Sequence, residues 1–261
     1  MNAAIIVSKL DPAGLNIAKQ LEQFPLPKNM FLHFIEERQI FADSVNDVSA
    51  DVLVFASKHS SAAGKKSLTV HPVGNWGKAE LGGKERKLVK TCSFLMKHYL
   101  NSLRFLQSEM RLDFMVSLEA THHGPYVEKP VVFIELGSSE QDWLHENGAL
   151  AVAKTIATAT RFDGDFIPCI ALGGSHYLSK FYDLETKTRY AIGHAASQHE
   201  LKNLDEEMIR QAMQSFTEGN PCIVYDERGL GDQLDRVLNL LQWAASIGIT
   251  VKPLTEALKE K

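Results

Sequence analysis

Short apolar runs alternate with longer stretches of three- and four-residue periodicity along the 261-residue chain. The runs predict strands over 3–8, 30–35, 51–57, 67–73, 113–121, 131–136, 166–172, 189–195, 221–227 and 249–254. Several, such as AAIIVS and VVFIEL, are apolar without clean alternation, as expected of strands buried on both faces. Between them, residues 84–107 place Leu88, Cys92, Leu95, Met96, Tyr99, Leu103 and Leu106 on one helical stripe. A second helix is predicted over 138–160, opened by Ser138 with Gln141 in capping-box spacing, and two more over 205–216 and 232–246. Strands alternating with helices predict an α/β fold: a mixed, largely parallel sheet covered by helices on both faces. No repeat or linker interrupts the pattern, so one domain over 1–261 is expected, with a two-lobed division near residue 110 as the alternative.

Composition changes this picture little. Hydrophobic residues make up 44% and charged residues 23%, as in globular chains, and the net charge of −4 excludes a generally cationic nucleic-acid coat. Cys92, Cys169 and Cys222 are too far apart for a thiolate zinc motif and look like core. No apolar run reaches the roughly 20 residues of a spanning helix. A reduced, soluble, cytoplasmic protein is expected, with no membrane or DNA partner, and a monomer is favoured over an oligomer.

Charge is uneven, however. Residues 78–104 carry Lys78, Lys84, Arg86, Lys87, Lys90, Lys97 and Arg104 against Glu80 and Glu85, net +5. With the glycine-rich GNWGKAELGGKERK before the long helix, this stretch reads either as a phosphate cradle for a polyanion such as RNA or as a solvated helix face.

Candidate chemistry gathers at the strand ends, where α/β proteins collect ligands. The polar residues there are His59, His71, Asn75, Glu119, His122, His123, Glu135, His176, His194 and His199. Neutral imidazole can ligate a metal or carry a proton near pH 7, and several imidazoles converging with a carboxylate describe a hydrolytic centre. Neighbouring strand residues point to opposite faces, so His122 and His123 can share one site only if the backbone turns between them. Glu135, inside VFIEL, needs a cation, a metal or a histidine partner if it is buried; otherwise it caps the following helix. GGSHYLSKF is not a nucleophile elbow, which argues against Ser175.

Taken together, LTVHPVGNWGKAELGG, EATHHGP, VFIELGSSEQDW, GGSHYLSKF and AIGHAASQH resemble the archaeal and plant type of D-aminoacyl-tRNA deacylase, the GEKO-like family, over about residues 50–200. The resemblance implies a phosphorylase/peptidyl-tRNA-hydrolase-like fold, hydrolysis of D-aminoacyl-tRNA esters for chirality proofreading and detoxification, and zinc as cofactor. Its motifs fall on Asn75, His122, His123, Glu135, His176 and His194. From these we expect His123 or Glu135 as general base, Asn75 and His176 in the catalytic set, and His122 and His194 as metal ligands. Gly173-Gly174 or Gly74-Asn75 would supply amide donors, and Lys78, Lys84, Arg86 and Lys87 would hold tRNA phosphates. An L side chain would meet a wall, whereas glycine would pass. The rival readings are a zinc-dependent peptidase or amidohydrolase, a nucleoside phosphorylase, and an RNA-binding or metal-buffering module.

Overall fold

The computed structural model describes residues 2–159 and 165–260. The chain forms β1 (Ala3–Ser8), α1 (Pro12–Leu21), β2 (Met30–Ile35), β3 (Val52–Lys58), β4 (Ser67–His71), β5 (Gly74–Asn75), β6 (Lys87–Leu88), α2 (Ser93–Glu109), β7 (Met115–Leu118) and β8 (Val131–Gly137). It continues through α3 (Glu140–Trp143), α4 (Glu146–Thr158), β9 (Ile167–Leu172), α5 (Tyr182–Lys187) and β10 (Tyr190–Ala196). The last elements are α6 (Glu206–Gln214), β11 (Cys222–Tyr225), α7 (Leu234–Ser246), β12 (Val251–Pro253) and α8 (Leu254–Ala257). Six strands make a first sheet in the order β2-β1-β3-β8-β4-β7, parallel except where β4 runs against β8. Four make a second, wholly parallel sheet, β10-β9-β11-β12.

The apolar runs explain the layering. In β1 every residue is buried, and the two-residue pleat sorts them. Ala3, Ile5 and Val7 enter one cluster and Ala4 and Ile6 another; β3 and β8 divide the same way. The first cluster runs on into the second sheet through Cys169, Ile192 and Val224, with α2 packed between the sheets. Each fully buried Ile or Val there contributes about 1.5–3 kcal/mol. The outer face of the second sheet is covered by α6 and α7 through Met208, Ile209, Val237 and Leu241. Beyond residue 110, β7 and β8 each pair with β4 in the first sheet.

The first sheet departs from the expectation on one face. Helices α1, α2 and α4 cover one side, but among the described residues Phe55 and Phe133 are covered by a short 3-10 turn carrying Val45 and by irregular segments carrying Ala42, Val73, Val89 and Val127. That face, with no long helix over it among the described residues, becomes the floor of the site.

Two helices also start elsewhere than their stripes predict. The helix expected from residue 84 begins at Ser93, because Lys87–Leu88 pair with Gly74–Asn75 and Thr91 bridges Phe216. Leu88 therefore packs in a different cluster from Leu95, and the glycine-rich stretch lies well before the helix start. Residues 138–160 form two helices rather than one. Ser139, not Ser138, makes the capping box, with Asp142, and His145 restarts the chain as the cap of α4. The last position of that expected helix, Thr160, lies outside the described residues. Among the described residues no helix is long and apolar enough to cross a membrane, and the three cysteines are buried and unpaired.

Candidate active site

Strand alternation selects the floor of the site. In β4, Leu68 and Val70 join the helix-side core, which turns Thr69 and His71 to the other face. The same pleat sets Glu135 beside Phe133 in β8, and Glu119 follows β7 directly after the core residue Leu118. Residues 119–121 then bridge the sheets: Glu119 N donates to Val70 O, Ala120 N to His176 O at 2.7 Å and Thr121 N to Ala195 O at 2.9 Å. The loop carrying His176 is thereby drawn over the first sheet.

His122 and His123 answer the question their adjacency raises. His123 has a φ of +47°, a left-handed turn that brings both rings to the same side, with centroids 4.4 Å apart. His122 lies 4.3 Å from the His71 ring and 4.6 Å from His176. His59 closes the group. Its Nδ1 lies 3.1 Å from Glu119 Oε1 and hydrogen-bonds Glu135 Oε2 at 3.2 Å, so one imidazole sits between two carboxylates.

The charges follow from this packing. Burial pushes the Glu135 carboxyl up, but the His59 and His71 rings outweigh it and hold the group well below the ordinary range. Glu119 is also lowered, burial being overcome by His176, His71 and His59. For His59 and His71, burial pulls the ring down and Glu135 more than restores it, leaving both above their ordinary value. His122 is held well below its usual value by burial and the neighbouring His71, and burial with His71 brings His123 down to about 4. Both are therefore neutral at physiological pH.

Their tautomers are set by the main chain. His71 Nδ1 donates to Pro72 O at 3.1 Å, His122 Nδ1 to Ala120 O at 2.8 Å and His123 Nδ1 to Gly124 O at 2.6 Å. In neutral His122 and His123 this leaves Nε2 with its lone pair free. In all three residues a ring nitrogen lies close enough to the others for one cation to be shared. Backbone anchoring of the remote N–H is how proteins orient metal-ligating histidines. Two further sets overlap with this one: Glu119, His122 and His176, and His59, Glu119 and Glu135. His71 Nε2 and Glu119 Oε1 are buried without a hydrogen-bond partner. The His71 atom faces Glu135 Oε1 at 3.6 Å, and His122 Nε2 faces Glu119 Oε2 at 3.6 Å. Borderline-soft imidazole beside carboxylate is a donor set that suits zinc.

The expected residues fare unequally. His122, His123, Glu135 and His176 converge. Glu135 does not cap the following helix, a role Ser139 takes. His194 must be corrected: it is fully buried away from the others, with Nε2 donating to Val89 O at 3.0 Å and Nδ1 accepting from Thr121 Oγ1 at 3.0 Å. With both nitrogens used and burial pushing it down to about 3, it is a neutral strut that fixes the 119–122 bridge. Asn75 is likewise structural, its amide spanning Gly82 O and Lys84 O to shape the glycine loop. The proposed amide donors are also engaged: Gly74 N on His123 O, Gly173 N on Ala196 O and Gly174 N on Gly229 O.

His59, His71 and Glu119, present at strand ends but not selected from the sequence, lie within the cluster. The signal for His71 and Glu119 lay in the alternation Leu68-Thr69-Val70-His71 and Val116-Ser117-Leu118-Glu119, which sends them to one face. The cations divide too. Lys78, Lys84 and Lys87 are exposed, Lys84 over the Tyr126 ring, but Arg86 is tied to Asp205 at 2.6 Å and Asn203 O at 2.9 Å. Lys97 is buried on Glu185 O and Tyr190 O and cannot meet a nucleic acid.

A buried cluster of imidazoles and ionised carboxylates, reached by a cavity of about 600 Å³, is the equipment of a hydrolase. Comparison with known proteins specifies which. Residues 46–251 match the family model of D-aminoacyl-tRNA deacylase. The D-aminoacyl-tRNA deacylase of Korarchaeum cryptofilum is 32% identical over 267 residues, covering 99% of this chain and 95% of that protein. That of Thermoplasma acidophilum is 34% identical over 236 residues, covering 86% and 90%. A crystal structure of a conserved protein of unknown function superimposes with a TM-score of 0.90 at 28% identity, covering 99% of this chain and 97% of the other. The chain belongs to the D-aminoacyl-tRNA deacylase family.

Proposed function

We propose that this protein hydrolyses the ester of D-aminoacyl-tRNA to free D-amino acid and tRNA, a chirality-proofreading and detoxifying activity. The observation that carries the reading is the convergence of His71, His122, His123 and His176 on Glu119 and Glu135 in a chain of this family. An aminoacyl ester is already labile. Catalysis therefore needs a positioned water, a proton acceptor and stabilisation of the oxyanion.

In this reading Glu135 accepts the water's proton. Its Oε2 accepts from Thr69 Oγ1 at 3.3 Å and His59 Nδ1, its Oε1 lies 3.6 Å from His71 Nε2, and the residue lines the cavity. His59, held between the two carboxylates, keeps them apart and ionised. His176, the most exposed ring of the group and bonded to Glu119 at 3.1 Å, stands where it can donate to the leaving ribose oxygen. His71, His122 and His123 are the residues that would hold zinc. Bound there, the ion would act as a Lewis acid, polarising the ester and acidifying water. Lys78, Lys84 and Lys87 supply exposed positive charge for acceptor-stem phosphates.

Stereochemistry follows from shape, since a D side chain directed along the cavity leaves its L counterpart against a wall; glycyl-tRNA, with no side chain, passes. The test is incubation with matched D- and L-tyrosyl-tRNA before and after chelator treatment. D-selective release that chelation abolishes and zinc restores is the expected result. Equal release of both enantiomers, or none with zinc present, refutes the reading.

A further inference from the structure

Two cavities share the wall formed by His122 and His176. The first, about 600 Å³, holds Glu119, His123 and Glu135 and extends over the first sheet past Leu10, Ile40 and Leu81. The second, about 680 Å³, is lined by Ser175, Ser197, Gln198, Lys202 and Gln233, from the loops that follow β9, β10 and β11. An ester cut at that shared wall has two unlike halves, and the linings differ too: the first cavity has large apolar side chains, Leu10, Ile40 and Leu81, and the second has none.

The first cavity is apolar at its mouth and acidic within. Leu10 and Leu81 are 59% and 55% exposed, yet both line this one opening. Asp11, Glu119 and Glu135 outnumber Arg38 and Lys58, and the Lys58 ammonium is drawn over the Trp143 ring at 4.7 Å. Such a surface suits an apolar side chain and an α-ammonium group. The second cavity offers hydroxyls, amides and the Lys202 cation, beside the carboxylates of Glu200 and Asp232, which can accept from ribose hydroxyls. The Lys202 ammonium has no hydrogen bond or ion pair among the described residues. It lies at the carboxyl ends of three parallel strands, the crevice where open α/β sheets seat nucleotides. The cationic loop adds direction: its tip, Leu81, reaches the first cavity, while Arg86 at its base bonds Asn203 O beside Lys202. A nucleic acid lying along Lys84 and Lys87 would therefore enter from the second cavity's side.

We propose that the second cavity binds the terminal adenosine monophosphate unit of the tRNA and the first binds the D-aminoacyl group, so that the ester lies at the His122–His176 wall. The assignment rests on the deacylase reading, and its test does not use turnover alone. Adenosine 5′-monophosphate should inhibit deacylation competitively. Photolabelling the whole protein with 8-azidoadenosine 5′-monophosphate should place adducts within residues 173–178, 197–202 or 229–233, displaced by the unmodified nucleotide and not by free D-tyrosine. Lys202→Glu should weaken that inhibition and raise KM for D-tyrosyl-tRNA, each by about tenfold.

Adducts in residues 8–11, 38–40 or 57–61, displacement by D-tyrosine, or absence of both labelling and inhibition would overturn the assignment while leaving measured deacylation intact. Protein that binds the nucleotide as described but releases no D-amino acid would instead refute the deacylase reading alone.

Discussion

Three imidazoles that each surrender Nδ1–H to a backbone carbonyl have their chemistry decided by the main chain. Glu135→Gln keeps the volume but removes the acceptor, and it should lower D-tyrosyl-tRNA deacylation by about 10²-fold or more, as should His123→Ala. Filter binding of the tRNA distinguishes lost chemistry from lost affinity; unchanged rates would remove both residues from the site. A different titration governs stability. Glu185 is fully buried, and burial, only partly offset by Lys97, raises its carboxyl from 4.5 to about 7. The folded chain thus holds this proton more tightly than the unfolded chain. The contribution is complete below about pH 4.5 and is lost as pH rises towards 7. Thermal melts across that window should show wild type losing stability relative to Glu185→Gln, and parallel curves would contradict the assignment.

Among the elements, β4 and β8 carry the site and the core in alternate positions. Phe133 stacks on Phe55 with centroids 4.5 Å apart and also lies 5.0 Å from the His123 ring. Phe133→Ala should cost about 3–5 kcal/mol in denaturant unfolding and release the His123 ring as well. How much of this was legible depends on range. The strands were, because a run such as AAIIVS is buried whatever its neighbours are. The start of α2 was not, because residues 87–91 have a helical stripe but find strand partners at Gly74–Asn75 and Phe216, which periodicity does not encode. His194 misled for a related reason: a histidine between glycine and alanine at a strand end looks functional until Thr121 and Val89, distant in sequence, occupy both its nitrogens. His71 and Glu119 were visible as strand-end polar residues, but choosing them required knowing which sheet face lacks a long helix.

For the whole molecule, charge placement matters more than its sum. A chain of net −4 presents Lys78, Lys84, Lys87 and Lys90 outward on one loop and strand, while Lys97 of the same stretch is internal. Lys84→Glu combined with Lys87→Glu should raise KM for aminoacyl-tRNA by tenfold or more at low salt and flatten its salt dependence. Hydrolysis of a dipeptide, the substrate of the rival peptidase, would feel no such change. Kinetics at two ionic strengths decide between them.

The pairing of β4 with β8 under the site has a thermal consequence. Thr69, His71 and Glu135 ride on the same ladder of main-chain bonds that holds β4 to β8, so these groups cannot loosen unless the ladder itself parts. Heat inactivation should then coincide with cooperative melting rather than precede it, a match that parallel activity and calorimetric scans would reveal.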